Sequence, residues 1–148
     1  MLSVAVPSKM ASSLQAMRQV MQYISKTKGF DRLMDKVQVV SAAPGKCVFE
    51  MKVGEEHLNG GFTLHGGLTA TLVDVLTTAT LLSMEGGKPG VSVDLHVSYL
   101  KAAKPGETIT IAADILKMGR TLAYTTAQVK NEKGDVVAQG LHTKHVGN

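Results

Sequence analysis

The chain lacks tryptophan, and tyrosine and phenylalanine contribute only three residues each in 148. A core must therefore be built from Val, Ile, Leu, Met and Ala, and no aromatic platform for stacking nucleic-acid bases is available. Charges of both signs are interspersed after the first thirty residues, so no nucleic-acid partner is read. Cysteine is nearly absent. Cys47 stands alone, which excludes an intrachain disulfide and suits a reducing compartment. No apolar run approaches the ~20 residues that cross a bilayer, so no transmembrane segment is read. Acid is missing from residues 1–30, where Lys9, Arg18, Lys26 and Lys28 carry a charge of +4, equal to the net charge of the whole chain. A targeting segment has such a basic, Ser-containing start. Arginine is scarce there, however, and the pattern runs on smoothly, so an ordinary first helix is the better reading.

At this length one domain with a real core is expected. Residues 1–11 read as a flexible tail and 12–148 as a single domain. Leu14, Met17, Val20, Met21 and Ile24 recur at helical spacing, with Ser12 or Ser13 as cap and Gly29 as stop. Lys36–Ala42 and Lys46–Val53 read as strands about the turn Ala43-Pro44-Gly45. Cys47 alternates with Phe49, Met51 and Val53 and so reads as a buried small hydrophobe. Residues 66–84 are mostly apolar all round, which predicts a buried helix. Strict alternation over 91–99 predicts a half-buried strand, with Ser92, Asp94, His96 and Ser98 on its polar face. Strands are also predicted over 108–116, 121–130 and 136–144. One antiparallel sheet wrapping one buried helix, an α+β fold, accommodates this order.

The chemistry concentrates in Asn59-Gly60-Gly61-Phe62-Thr63-Leu64-His65-Gly66-Gly67. This glycine-rich loop feeds directly into the predicted buried helix. Free backbone N–H groups at a helix start, with the positive end of its dipole, suit a polarised carbonyl oxygen. Asp74 is the only ionisable residue between His65 and Glu85. A lone acid in an apolar helix is costly without a partner or a role. It lies eight residues beyond Gly66, about 12 Å along a helix axis. Both groups of one chain therefore cannot serve one reacting carbon. If both are catalytic, the protein is a homodimer with composite sites. Asn59 can donate to a substrate carbonyl or hold a turn, and His65 can support the site or simply pack. His57, His96, His142 and His145 lack consistent ligand spacing, so no metal is expected. The glycines lack the Lys-Ser/Thr ending of a phosphate loop.

Three stretches carry a resemblance: Leu64–Asp74 with its His-Gly-Gly and following acid, Gly90-Val91-Ser92-Val93-Asp94, and the tail His142–Asn148. From Ser12 to the end the chain resembles the hotdog-fold acyl-CoA thioesterases of the 4-hydroxybenzoyl-CoA thioesterase-like (PaaI-like) group, and most closely a vertebrate branch of it. The resemblance implies hydrolysis of medium- to long-chain fatty acyl-CoA without metal or cofactor. Gly66 N–H and Asn59 would polarise the thioester carbonyl. Asp74 of the neighbouring subunit would be general base, or else nucleophile; Ser92 would help hold the water, and His65 would support the site. The CoA moiety would follow Gly90, Tyr99-Leu100-Lys101-Ala102-Ala103-Lys104, Lys117-Met118-Gly119-Arg120-Thr121-Leu122 and His145. Also implied are a dimer of dimers, a phosphatidylcholine-transfer protein as partner, and a cytoplasmic or mitochondria-associated location. A non-catalytic acyl-CoA-binding or sensing domain is the alternative. A hydroxyacyl-thioester dehydratase is the third reading, but it wants an Asp/His pair on a different loop. The sequence departs from the branch at Phe62, where a glycine usually stands.

Overall fold

The computed structural model describes residues 11–148. Apart from Ala11, which opens the first helix, the expected tail lies outside the described residues. Helix α1 (Ala11–Ser25) buries Met17 and Met21, and packs on the first strand. A 3-10 turn over Phe30–Lys36 follows and takes in Lys36, the first residue of the predicted strand. It places Met34 in the core, and strand β1 starts only at Gln38.

Among the described residues the sheet has six antiparallel strands in the order β1 (Gln38–Ala43), β2 (Lys46–Lys52), β4 (Thr108–Met118), β5 (Leu122–Lys130), β6 (Val136–His145), β3 (Val91–Tyr99). Period-two burial along β2, β4, β5 and β6 turns Cys47, Phe49, Met51, Ile109, Ile111, Ala113, Ala127 and Val129 toward the helix side. Cys47 is fully buried, as its alternation predicted, and burial pushes its thiol up, away from the reactive thiolate.

Helix α2 (Gly66–Leu81) lies against this face, three residues shorter than the apolar run suggested. Leu72, Val73, Leu76 and Ala79 are wholly buried. Its buried threonines satisfy themselves within the helix: Thr77 Oγ1 donates to Val73 O at 2.7 Å and Thr80 Oγ1 to Leu76 O at 2.8 Å. The helix sits close to the sheet because Gly140 of β6 offers no side chain there. A Cβ at that position would stand well inside contact distance of the Val73 methyls.

β3 is not the half-buried strand that its alternation predicted. Among the described residues it is an edge strand, paired only with β6, and it runs exposed along nearly its whole length. Val91, Val93, Leu95 and Tyr99 are all substantially exposed. The register on β6 shifts between Ser92 and Asp94. This bulge breaks the two-residue period. Ser92 is thereby opposite Lys144 and turned toward the buried His142, not grouped with Asp94 and His96 as simple alternation implied.

Candidate active site

Two clusters of the expected site residues form at the two ends of β3. The first surrounds the start of α2. His65 is the N-cap, and its Nδ1 accepts the Gly67 N–H at 2.8 Å. That bond occupies Gly67. The Gly66 N–H has no acceptor among the described residues and, with that of Leu68, is a free donor of the helix start. The Tyr99 hydroxyl donates to the Gly66 carbonyl at 2.6 Å. An open cleft of about 360 Å³ runs here, lined in part by Asn59, Gly66 and Tyr99–Ala103.

Asn59 organises the loop. Its side-chain oxygen accepts the backbone N–H of Gly61 at 2.9 Å and of Thr63 at 3.2 Å, while its amide donates to Thr63 Oγ1 at 3.0 Å. One amide hydrogen remains for a ligand. Within the turn so formed, Phe62 has φ 60° and is the one described non-glycine residue in the left-handed region. Its ring is 75% exposed, so no packing offsets the strain. Phe62→Gly is expected to stabilise the protein by about 1 kcal/mol, a rise in melting temperature of ~2–4 °C. A lower melting temperature would show that the exposed ring supports the loop.

The second cluster surrounds Asp74, eight residues along α2. His142 of β6 is buried, and burial lowers its basicity, against the raising influence of Asp74 and Asp94. The Thr77 hydroxyl already donates to Val73 O, so it accepts from His142 Nδ1–H at 2.7 Å. The bare Nε2 then accepts from Ser92 Oγ–H, also at 2.7 Å. Nε2 lies 3.7 Å from Asp74 Oδ1, a contact of carboxylate with neutral imidazole. Because the folded protein resists charging His142, this group subtracts stability as pH falls below its ordinary value of 6.5. Ser92, His142 and Asp74 do not make a nucleophilic triad. The position on Nδ1 that would orient such a histidine is held by Thr77.

His142 is not among the site residues expected from the sequence, where it stands only as one of several scattered histidines and as the start of the tail motif. The Ser92 bulge, which brings the serine onto the imidazole, leaves no mark in the alternation.

The proposed CoA segments divide between the clusters. Tyr99–Ala103 border the cleft at Gly66. There Lys101 Nζ is paired with Asp135 at 2.6 Å, which holds the Asp135 carboxyl below its usual range. Lys104 lends its backbone N–H to Glu107 at 2.7 Å. Gly119–Leu122, Gly90 and His145 gather instead at the Ser92 end. Leu122 pairs with His145 on β6, and the Gly119 N–H donates to Leu122 O at 2.8 Å. Lys117, Met118 and Arg120 are exposed at that hairpin. Gly90 has φ 59° and presses on the His145 carbonyl, so the fold itself requires glycine there.

Residues 61–138 match the family model described as "Thioesterase superfamily". The chain belongs to that superfamily. Human acyl-coenzyme A thioesterase 13 is 52% identical over 140 residues, spanning 94% of this chain and all of the human one. The crystal structure of zebrafish thioesterase superfamily member 2 superposes with a TM-score of 0.88 at 52% identity, covering 90% of this chain and 98% of that one. A Streptococcus mutans protein bound to acetyl CoA superposes at 0.72 with 25% identity, covering 83% and 95%. The architecture is thus the hotdog fold of these thioesterases. Among the described residues, no helix of this thioesterase is long and apolar enough to cross a membrane.

Proposed function

We propose that this thioesterase hydrolyses medium- to long-chain fatty acyl-CoA to free fatty acid and CoA at composite sites of a homodimer. The observation that carries the reading is the placement of a free Gly66 N–H at the start of α2 and an Asp74–Ser92–His142 group farther along the same helix. Nothing in the fold demands glycine at 66: a Cβ there would meet the Tyr99 ring at an ordinary 3.4 Å. A ligand atom approaching the backbone closely is a reason for glycine at that place.

In this reading the thioester carbonyl accepts from Gly66 N–H and the free amide hydrogen of Asn59, while His65 fixes the helix start. Asp74 takes a proton from the attacking water as the tetrahedral oxyanion forms. The Ser92 hydroxyl, its hydrogen committed to His142, has lone pairs left to accept from that same water. Collapse expels the CoA thiolate, a good leaving group that needs little help. Neither metal nor cofactor enters these steps.

Dimerisation supplies the missing geometry. β3 is nine residues long, with one edge unpaired among the described residues and exposed apolar side chains. Such an edge invites pairing with another strand. Two β3 strands meeting antiparallel about a two-fold axis would set the Ser92 end of one beside the Tyr99 end of the other. Asp74 would then face Gly66 across the interface, and the two CoA segments would join. Pairing of such dimers, a phosphatidylcholine-transfer protein partner, and a cytoplasmic or mitochondria-associated location belong to the same reading. Kinship to human acyl-coenzyme A thioesterase 13 supports the substrate class.

Thiol release from acyl-CoAs of increasing chain length tests the activity. Turnover should rise from acetyl-CoA to the medium and long chains. Tight binding without thiol release would make the protein an acyl-CoA sensor. Arg120→Ala is expected to raise KM for acyl-CoA with little change in kcat, because a guanidinium on remote phosphate oxygens contributes uniform binding. The difference should shrink as salt is added, and an unchanged KM at low salt would remove Arg120 from the phosphate track.

A further inference from the structure

Lys144 is buried, with 4% of its surface exposed. A lysine is almost never hidden so completely without a partner. It lies on β6 two residues beyond His142, opposite Ser92. Its Nζ donates to Thr78 Oγ1 at 2.8 Å, and that hydroxyl donates onward to the backbone carbonyl of Asp74 at 2.8 Å. The ammonium is thus anchored one helical turn beyond Asp74. No carboxylate lies within ion-pairing distance of it among the described residues. Replacing such a group by an apolar side chain commonly costs a fold little, so stability alone does not account for a buried cation here.

We propose that Lys144 is a positioning residue for hydrolysis, whose positive charge favours the Asp74 carboxylate and a neutral His142 beside it, so that Asp74 can take a proton from water. The inference rests on reading Asp74 as the base. The charged groups around the pair are few. On α2 there is Asp74 alone; on β6, His142 and Lys144; on β3, Asp94. The two carboxylates favour a proton on His142, and Lys144 opposes it. Burial lowers the basicity of Lys144 itself, while Asp74 works to keep it charged. A cation beside the pair stabilises the carboxylate and disfavours imidazolium, so both effects act in one direction. The pH profile of hydrolysis reads the outcome.

The test is kcat/KM for acyl-CoA thiol release against pH, using full-length assembled protein. In Lys144→Met the acid limb should move up by about one pH unit, with no fall in melting temperature. In Lys144→Arg, which keeps the charge, it should stay within about 0.3 of wild type. If the methionine variant does not fold, Thr78→Val decides. It removes the anchor of Nζ and should raise the limb in the same direction by about half as much. An unmoved limb in the folded methionine variant, or in Thr78→Val where that variant decides, overturns the inference, as does an equal shift in Lys144→Arg. A raised KM with an unmoved limb also overturns it, making Lys144 a contact for substrate phosphate. The Asp74 carboxyl carbon resonance, followed over the same pH range in wild type and variant, makes the measurement independent of catalysis. Should Asp74→Asn remain active, the reading of Asp74 as base fails, while the resonance still reports whether Lys144 controls the proton.

Discussion

Asp74→Asn is expected to lower kcat by about 10²–10⁴-fold, the usual contribution of a general base, or ~3–5 kcal/mol of barrier. Its fold should survive. The side chain is 45% exposed in the single chain, and its nearest recorded polar contact is His142 Nε2 at 3.7 Å. The amide is nearly isosteric with the carboxylate but accepts no proton. KM should change little, because the proposed seat of the thioester oxygen is the Gly66 end. Circular dichroism and a denaturation midpoint would establish folding, and thiol release would give kcat. A folded variant retaining more than about a tenth of the wild-type rate would remove Asp74 from the proton-transfer step.

The second large effect is a recovery. Asp74→Asn and a variant altered at both Asn59 and His65 should each be nearly inactive, yet a co-refolded mixture should regain about a quarter of wild-type activity. Random pairing makes half the dimers mixed, and each mixed dimer carries one intact site of two. The expectation follows from the geometry of one helix, on which Gly66 and Asp74 are about 12 Å apart. Their surroundings differ accordingly: Tyr99 touches one and the Ser92–His142 pair the other. Mixtures verified to contain mixed dimers, but as inactive as the parents, would place the whole site within one chain.

The parts legible in sequence were those set by local periodicity and composition. Residues 66–81 are a buried helix because their apolarity leaves no solvent face, and β2, β4, β5 and β6 follow two-residue patterns. The loop was legible too, since Gly-Gly beside a cap and a lone acid in an apolar helix are both conspicuous. Tertiary effects were not. Alternation in 91–99 reports which side chains share a face, but not whether anything in the chain covers that face. It is also blind to a bulge, which shifts the phase by one residue at Ser92. The 3-10 turn over 30–36 escaped because Gly29 reads as a helix stop and the segment is too short for a helical period to stand out, although Phe30, Leu33 and Met34 keep i, i+3, i+4 spacing. His142 reads as one more strand residue until the helix opposite supplies Thr77 and Asp74. Asn59 was open between two roles, and the structure shows it tying the loop while leaving one hydrogen free.

The contact between Gly140 and Val73 constrains how this sequence can change over time. The helix stands on a gap in the sheet that Gly140 leaves and Val73 fills. Any larger residue at 140 meets branched methyls that cannot rotate away. A smaller residue at 73 opens a void of a methyl group or two, costing about 1–2 kcal/mol. The two positions are therefore coupled, and the order of change matters. Val73→Ala first, followed by Gly140→Ala, passes through a weakened but folded intermediate. The reverse order passes through a steric clash directly beneath the residue that precedes Asp74. Drift along this lineage should accordingly show position 73 shrinking before position 140 grows.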